Sequence, residues 1–233
     1  MRPLLRPAAG ASSPALRPRG LAGGRARYLS LVKGKAIGGW FDASALALIA
    51  ALSSAQHSLG LRGSVGEIGV HEGLSFLAAA LSSDESEHLF ACDVFEKQEL
   101  NLDGSGRGDL AIFTANLEKC GLSIADVTLF SGSSTSIPLD LFSARGLPAF
   151  RWFSVDGGHT HNVTASDLRL AAHVIMPGGI VTLDDIKNQG WPGVRTALHE
   201  LLSSDGTPAL VPLCVFVHEC KHTRARARVA EGG

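Results

Sequence analysis

The segment Gly63-Ser-Val-Gly-Glu-Ile-Gly-Val-His-Glu-Gly73 constrains the chain more than any other. A short apolar strand breaks into glycines and passes directly into an apolar helical run, Leu74–Leu81. Glycine at Gly69 and Gly73 lets the backbone turn sharply and approach a ligand where a β-carbon would obstruct. The pattern Glu67-x-Gly69-x-x-x-Gly73 is followed, 20 residues beyond its last glycine, by Asp93 at the end of a second apolar run over 88–93. A carboxylate in that place can accept hydrogen bonds from both hydroxyls of a ribose. Together these residues describe a nucleoside site. Taken singly they read as turn glycines and a solvated aspartate.

The remaining pattern repeats the alternation of strand and helix. Apolar runs predict strands over 127–130, 151–155, 178–183 and 210–217. Helical spacing predicts helices over 42–56, with Asp42 or Ser44 as its cap, and over 110–119, 165–174 and 194–202. A glycine-rich loop, 101–108, precedes the second of these. Such alternation implies an α/β fold, Rossmann-like and doubly wound, with a mostly parallel sheet, helices on both faces and ligands beyond the carboxyl ends of the strands. At 233 residues, 45 % hydrophobic and 18 % charged, the chain suits one well-filled domain.

Residues 1–35 stand apart, with basic residues from Arg2 to Lys35 and no acid before Asp42. They read as a basic leader, either disordered or an organellar transit peptide, ahead of a folded domain over 36–233. The expected compartment is cytoplasmic, or a mitochondrion or chloroplast if the leader is a transit peptide. A formal net charge of −1 gives no reason to expect nucleic acid or an anionic membrane as partner. No apolar run approaches the roughly 18 residues of a membrane span. The four cysteines, Cys92, Cys120, Cys214 and Cys220, form no C-x-x-C pair and read as reduced, buried thiols.

A second constellation follows the fourth and fifth expected strands: Asp156-Gly-Gly-His159 and Asp184-Asp185. In a doubly wound sheet both groups reach the edge that holds the nucleoside. Three carboxylates facing one cavity repel one another unless protonated or compensated, and hard oxygen ligands suit Mg²⁺ or another divalent cation. The alternative is that Asp184 and Asp185 cap the next helix and His159 is a loop histidine. A nicotinamide-dependent oxidoreductase shares the nucleoside geometry, but its fingerprint has a glycine where His71 and Glu72 stand here, and Glu72 would repel a pyrophosphate.

The stretch from Gly63 to about Val194 resembles the methyltransferase domain 24 family of class I enzymes, which includes metal-dependent macrolide-sugar O-methyltransferases. The resemblance is carried by Glu67-Ile-Gly69 to Gly73, Asp103-Gly-Ser-Gly-Arg-Gly108, Val155-Asp-Gly-Gly-His-Thr160, Asp167-Leu168, Pro177-Gly-Gly179, Asp184-Asp185 and Trp191-Pro-Gly-Val194. It implies an S-adenosylmethionine-dependent methyltransferase in which Glu67, Gly69 and Asp93 contact the cofactor. It further implies that Asp156, Asp184 and Asp185 hold the metal and that His159 is the general base. The implied acceptor is a sugar or other small hydroxylated molecule, and self-association into a homo-oligomer is compatible with it. One departure is Ser131-Gly-Ser-Ser134, where such families often carry an acid near the adenine; Ser133 or Ser134 could supply a hydrogen bond instead.

A catalytically idle cofactor-binding module is the reading of a different class, and the Asp156, His159, Asp184 and Asp185 cluster argues against it. His161, His218 and His222 are expected to be surface or structural, and the tract Arg224-Ala-Arg-Ala-Arg228 a solvated tail. Trp152 is expected in the core, whereas Trp191 lies near the acidic loop.

Overall fold

Helix α1 (Ala43–Ser58) leads into strand β1 (Ser64–Ile68), helix α2 (Leu74–Leu81) and strand β2 (Leu89–Asp93). Helix α3 (Leu110–Lys119), strand β3 (Val127–Ser131) and the single-turn helix α4 (Leu141–Ala144) follow. Strand β4 (Phe150–Val155), helix α5 (His161–Val174), strand β5 (Ile175–Leu183) and helix α6 (Pro192–Ser203) complete the order. The computed structural model describes residues 26, 28–31, 37–39, 41, 43–204 and 210–213.

All four pairings in the sheet are parallel, in the order β3-β2-β1-β4-β5. Strand β1 is covered along its whole length, and β2 and β4 along nearly all of theirs. This is why they read as continuous apolar runs rather than alternating ones. One face packs Phe76, Leu77, Phe113 and Trp152 against α2 and α3. The other packs Phe90, Phe142, Phe150 and Phe153 against α4 and α5, with ring centroids of Phe90 and Phe142 5.0 Å apart. The fold is therefore the expected α/β Rossmann-like sheet with helices on both faces. Because the chain leaves β1 toward β2 on one side and reaches β4 on the other, a crevice opens at their carboxyl ends.

Strand β5 departs from expectation. It begins at Ile175 rather than at residue 178, and its register to β4 slips between the Phe150–Ile175 and Trp152–Ile180 pairs. The extra residues Pro177-Gly-Gly179 are taken up at this irregularity; among the described residues β5 pairs with β4 alone, and a strand with ladder bonds on one side tolerates such a slip. Ser44 lies inside α1 rather than ahead of it, and Asp42 lies outside the described residues. Of the expected strand over 210–217, residues 210–213 have no regular structure and the rest lie outside the described residues.

Tyr28, within the span read as a leader, is buried against α2 and its hydroxyl donates to the Leu74 carbonyl at 2.8 Å. Residues 1–25 of that span lie outside the described residues. At the opposite edge of the sheet from the crevice, buried Arg151 forms a two-armed ion pair with Glu87, its Nε and an Nη donating at 2.5 and 2.9 Å. Another Nη donates to Gln56 at 2.9 Å, tying α1 to β4. Cys92 and Cys120 are buried thiols in no disulfide among the described residues, as expected; Cys214 and Cys220 lie outside the described residues.

Candidate active site

A cavity of about 390 Å³ lies beyond the carboxyl ends of β1, β2 and β4. Gly69, Asp93, Ser133, Asp156, His159, Asp184 and Asp185 all line it. Glu67 and Gly73, expected at the cofactor, do not. Glu67 sits beneath the turn, fully covered, and accepts from the Ser75 hydroxyl at 2.5 Å. Burial pushes its carboxyl up to about 8, against the opposing effect of the Ser75 hydrogen bond. Gly73 adopts φ +92° and its backbone lies against the Phe113 ring, so it serves the α2–α3 packing rather than a ligand.

Asp93 terminates β2 with its carboxylate already fixed by backbone amides. Oδ2 accepts from His71 N at 2.8 Å and Oδ1 from Phe95 N at 2.7 Å. Each oxygen retains one acceptor position, so the carboxylate is oriented yet still able to receive two hydroxyls. Ser133 Oγ lies 2.8 Å from Thr135 Oγ1 on the neighbouring wall.

The acidic constellation is tighter than its spacing suggested. Asp156, His159 and Asp185 each offer a ligand atom within 4.8 Å of the others. Asp184 is exposed yet lines the same cavity, close enough to Asp156 for its charge to act on that carboxyl, and its Oδ1 accepts from the Asp185 amide at 2.8 Å. Thus the three aspartates expected together all reach one cavity, and His159 joins Asp156 and Asp185 in its tightest group. Burial raises the Asp156 carboxyl well above its usual range, and the charges of Asp184, Glu67, Asp185 and Asp93 raise it further. Such crowding of oxygen donors with one imidazole fits a divalent cation, which would relieve the repulsion.

His159 is held on three sides. Its Nδ1 lies 3.0 Å from Asp103 Oδ2, its Nε2 lies 2.9 Å from Asp185 Oδ2, and its ring stacks on Trp191 at 4.5 Å between centroids. Burial alone would lower the imidazole pKa, but the hydrogen bond to Asp185 and the charges of Asp103 and Asp185 outweigh it and hold it above the ordinary value. The same contact with His159 holds Asp185 below the usual carboxylate range. His159, implied by the resemblance as the general base, is thus paired with carboxylates at both nitrogens.

A family model described as a methyltransferase domain, that of the methyltransferase domain 24 family, matches residues 67–186, just over half of the chain. The chain belongs to this family. It is a class I, S-adenosylmethionine-dependent methyltransferase. No curated protein matches it. Among solved structures, it is similar to an O-methyltransferase from Bacillus cereus in complex with SAH, with 15 % identity, 78 % of this chain and 80 % of that one covered, and a TM-score of 0.55. It is also similar to the O-methyltransferase TomG from Streptomyces achromogenes, involved in tomaymycin synthesis and in complex with SAM, with 16 % identity, 78 % of each chain covered and a TM-score of 0.53. A third, the TDP-rhamnose 3'-O-methyltransferase of calicheamicin biosynthesis, has 17 % identity, covers 77 % of this chain and 83 % of its own, and gives a TM-score of 0.51. At these identities the likeness is one of fold.

Asp103 and Trp191 stand in sequence motifs, but no local pattern links either of them to His159 in the methyltransferase's cavity. Asp103 was visible only as part of a glycine-rich loop, and its contact with His159 spans 56 positions that no local pattern links. Trp191 was placed near the acidic loop, but its stacking on His159 depends on how α6 meets α5. His161 is exposed and bonded to Thr196 and Glu200 on the surface of α6, as expected; His218 and His222 lie outside the described residues. Trp152 is in the core, as expected. No helix among the described residues is long and apolar enough to cross a membrane.

Proposed function

We propose that this methyltransferase transfers the sulfonium methyl group of S-adenosylmethionine to an oxygen of a small hydroxylated molecule, a sugar or similar, with the help of a divalent cation such as Mg²⁺. The observation that supports this reading is the convergence of Asp156, His159 and Asp185 in the same cavity as Asp93. Asp93 would receive the ribose hydroxyls, with Gly69 and Ser133 on the adjoining walls. Asp156 and Asp185 would hold the cation, with Asp184 at its margin and His159 beside it as proton acceptor; bound there, it would supply a Lewis acid that lowers the pKa of the acceptor hydroxyl.

In the transfer the carbon–sulfur bond breaks as the carbon–oxygen bond forms, and the hydroxyl proton goes to the protein. The His159–Asp185 pair receives it, because the two groups share one hydrogen bond and titrate as a unit. Trp191 fixes the plane of the imidazole, so that positioning carries much of the rate. No lysine or arginine among the described residues lines the cavity, which favours an uncharged acceptor over one carrying a diphosphate. A small-molecule partner, rather than nucleic acid or membrane, belongs to the same proposal, and the size of the cavity supports it.

The test is incubation with methyl-labelled cofactor and a panel of neutral sugars, phenols and their phosphorylated counterparts, with and without a chelator. Label on a hydroxyl that is lost on chelation is the expected result. Labelling of nitrogen or sulfur acceptors, or full turnover without metal, overturns the reading.

A further inference from the structure

Loop 101–108 crosses the open side of the cavity, and most of it is held by a single side chain. The Asp103 side chain is largely covered although its neighbour Leu102 is exposed. Oδ1 accepts from Ser105 N at 2.9 Å and Ser105 Oγ at 2.5 Å, closing the loop on itself. Oδ2 accepts from His159 N at 2.5 Å and faces His159 Nδ1 at 3.0 Å, joining the loop to the segment after β4. Asn101 Nδ2 donates to the Ser105 carbonyl at 2.7 Å, and Gly106 lies beside the His71 ring. The loop therefore bridges the turn after β1, on the cofactor side, and the histidine on the acceptor side.

We propose that Asp103 is a positioning residue for His159: its carboxylate fixes a hydrogen on Nδ1, holds Nε2 toward Asp185 on the acidic side of the cavity, and ties the loop to the segment after β4. This rests on the methyl transfer proposed above. An ionised carboxylate only accepts hydrogen bonds, so the 3.0 Å approach to Nδ1 requires Nδ1 to be the donor. Rotation of the ring is blocked by Trp191 stacked on one face at an interplanar angle of 17°. Burial works against ionisation of Asp103, but the hydrogen bonds from Ser105 and His159 outweigh it and hold the carboxyl below its usual range. A second carboxylate, Asp185, then stands 2.9 Å from Nε2. Both Asp103 oxygens are engaged by Ser105 and His159, so it acts through the ring, much as a partner carboxylate orients a histidine ligand.

The experiment compares the full chain with Asp103→Asn, Asp103→Glu and Ser105→Ala, each saturated with Mg²⁺ and SAH. Two-bond proton–nitrogen spectra of histidine-labelled protein at pH 8, assigned with His159→Gln, read where the ring hydrogen sits. Trypsin cleavage after Arg107 reads the loop. The expected result is a protonated Nδ1 in the wild type and a hydrogen shared between the two nitrogens in Asp103→Asn. Cleavage after Arg107 should be faster in Asp103→Asn, and turnover should fall about 10-fold or more with the cofactor KM little changed. Asp103→Glu should restore part of each, and Ser105→Ala should move the ring spectrum less in the same direction. An unprotonated Nδ1 in the wild type, or an unaltered ring spectrum in Asp103→Asn, overturns the proposal. A change in cleavage alone makes Asp103 a loop staple and also overturns it. Failure of SAH to bind, measured by calorimetry, would count against the methyltransferase reading without touching the ring assignment.

Discussion

Gly69 and Asp156 pack backbone against backbone where the turns after β1 and β4 meet. A β-carbon on Gly69 would fall far inside contact distance of the Asp156 carbonyl oxygen, and Gly69 has φ +88°. The glycine expected to make room for a ligand therefore makes room first for the strand that carries the acidic cluster. Nucleoside side and acidic side are one rigid unit at this point.

Gly69→Ala should consequently disturb both. The side chain meets backbone, which cannot rotate away, and a left-handed conformation adds to the cost. A loss of several kcal/mol is expected, of the kind seen when a special backbone position is filled. Thermal melts and SAH calorimetry should both register it; a variant that melts and binds like the wild type would show that β4 can retreat at no cost.

Tyr28 yields a second expectation. The phenol is 1 % exposed and burial lifts its pKa above the ordinary value, the charge of Glu67 adding to the effect. Tyr28→Ala removes a buried ring and should cost about 3–5 kcal/mol. Removal of residues 1–34 should cost at least as much. Equal melting temperatures for all these variants would mean that the ring contributes nothing to the core.

Most of the fold was legible because the strongest signals were local. Helices α2 and α3 have the limits that their apolar periods gave, and the buried strands β1, β2 and β4 announced themselves as apolar runs. What was not legible depends on long-range contact. The start of β5 is set by its slip against β4, and the membership of Tyr28 in the core by a hydrogen bond to a residue 46 positions away. In the site, the sequence placed Asp93, Asp156, His159 and Asp185 on one edge because topology alone puts strand ends together. It could not show that Glu67 lies under the cavity floor, since strand side chains alternate faces and only the local pleat decides which one is exposed.

Asp167 makes stability depend on pH. It is 1 % exposed on α5, neither carboxylate oxygen has a well-formed hydrogen bond, and Gly157 is packed against it. Burial pushes its carboxyl up to about 7, with Ser134 offsetting only a little. A raised carboxyl pKa means that the folded state binds the proton more tightly than the unfolded one. Stability should therefore be greatest near pH 4, fall as the pH rises toward 7, and level off above it, by up to about 4 kcal/mol in all. Asp167→Asn should remove this part of the slope. Chemical denaturation of both proteins at pH 5 and pH 8 provides the comparison, and identical slopes would relocate the effect to Glu67.

The last expectation concerns the His159–Asp185 pair. Asp185 has φ +57°, an uncommon conformation for a non-glycine residue, and its amide is held by the Asp184 carboxylate. The strain places its carboxylate against Nε2, where it competes with any acceptor or cation for the ring nitrogen. If the pair receives the hydroxyl proton, His159→Gln should lower turnover about 10²-fold or more, the usual scale for loss of a general base, with SAH affinity little changed because Asp93 lies on another strand. Asp185→Asn should also lower turnover and, in addition, weaken Mn²⁺ binding, because it removes one of the two carboxylates that would hold the cation. The pair of variants separates proton transfer from metal binding. His159→Gln with near wild-type turnover would eliminate the imidazole as proton acceptor, and Asp185→Asn with undiminished Mn²⁺ affinity would remove Asp185 from the metal set and leave it only the task of holding the ring.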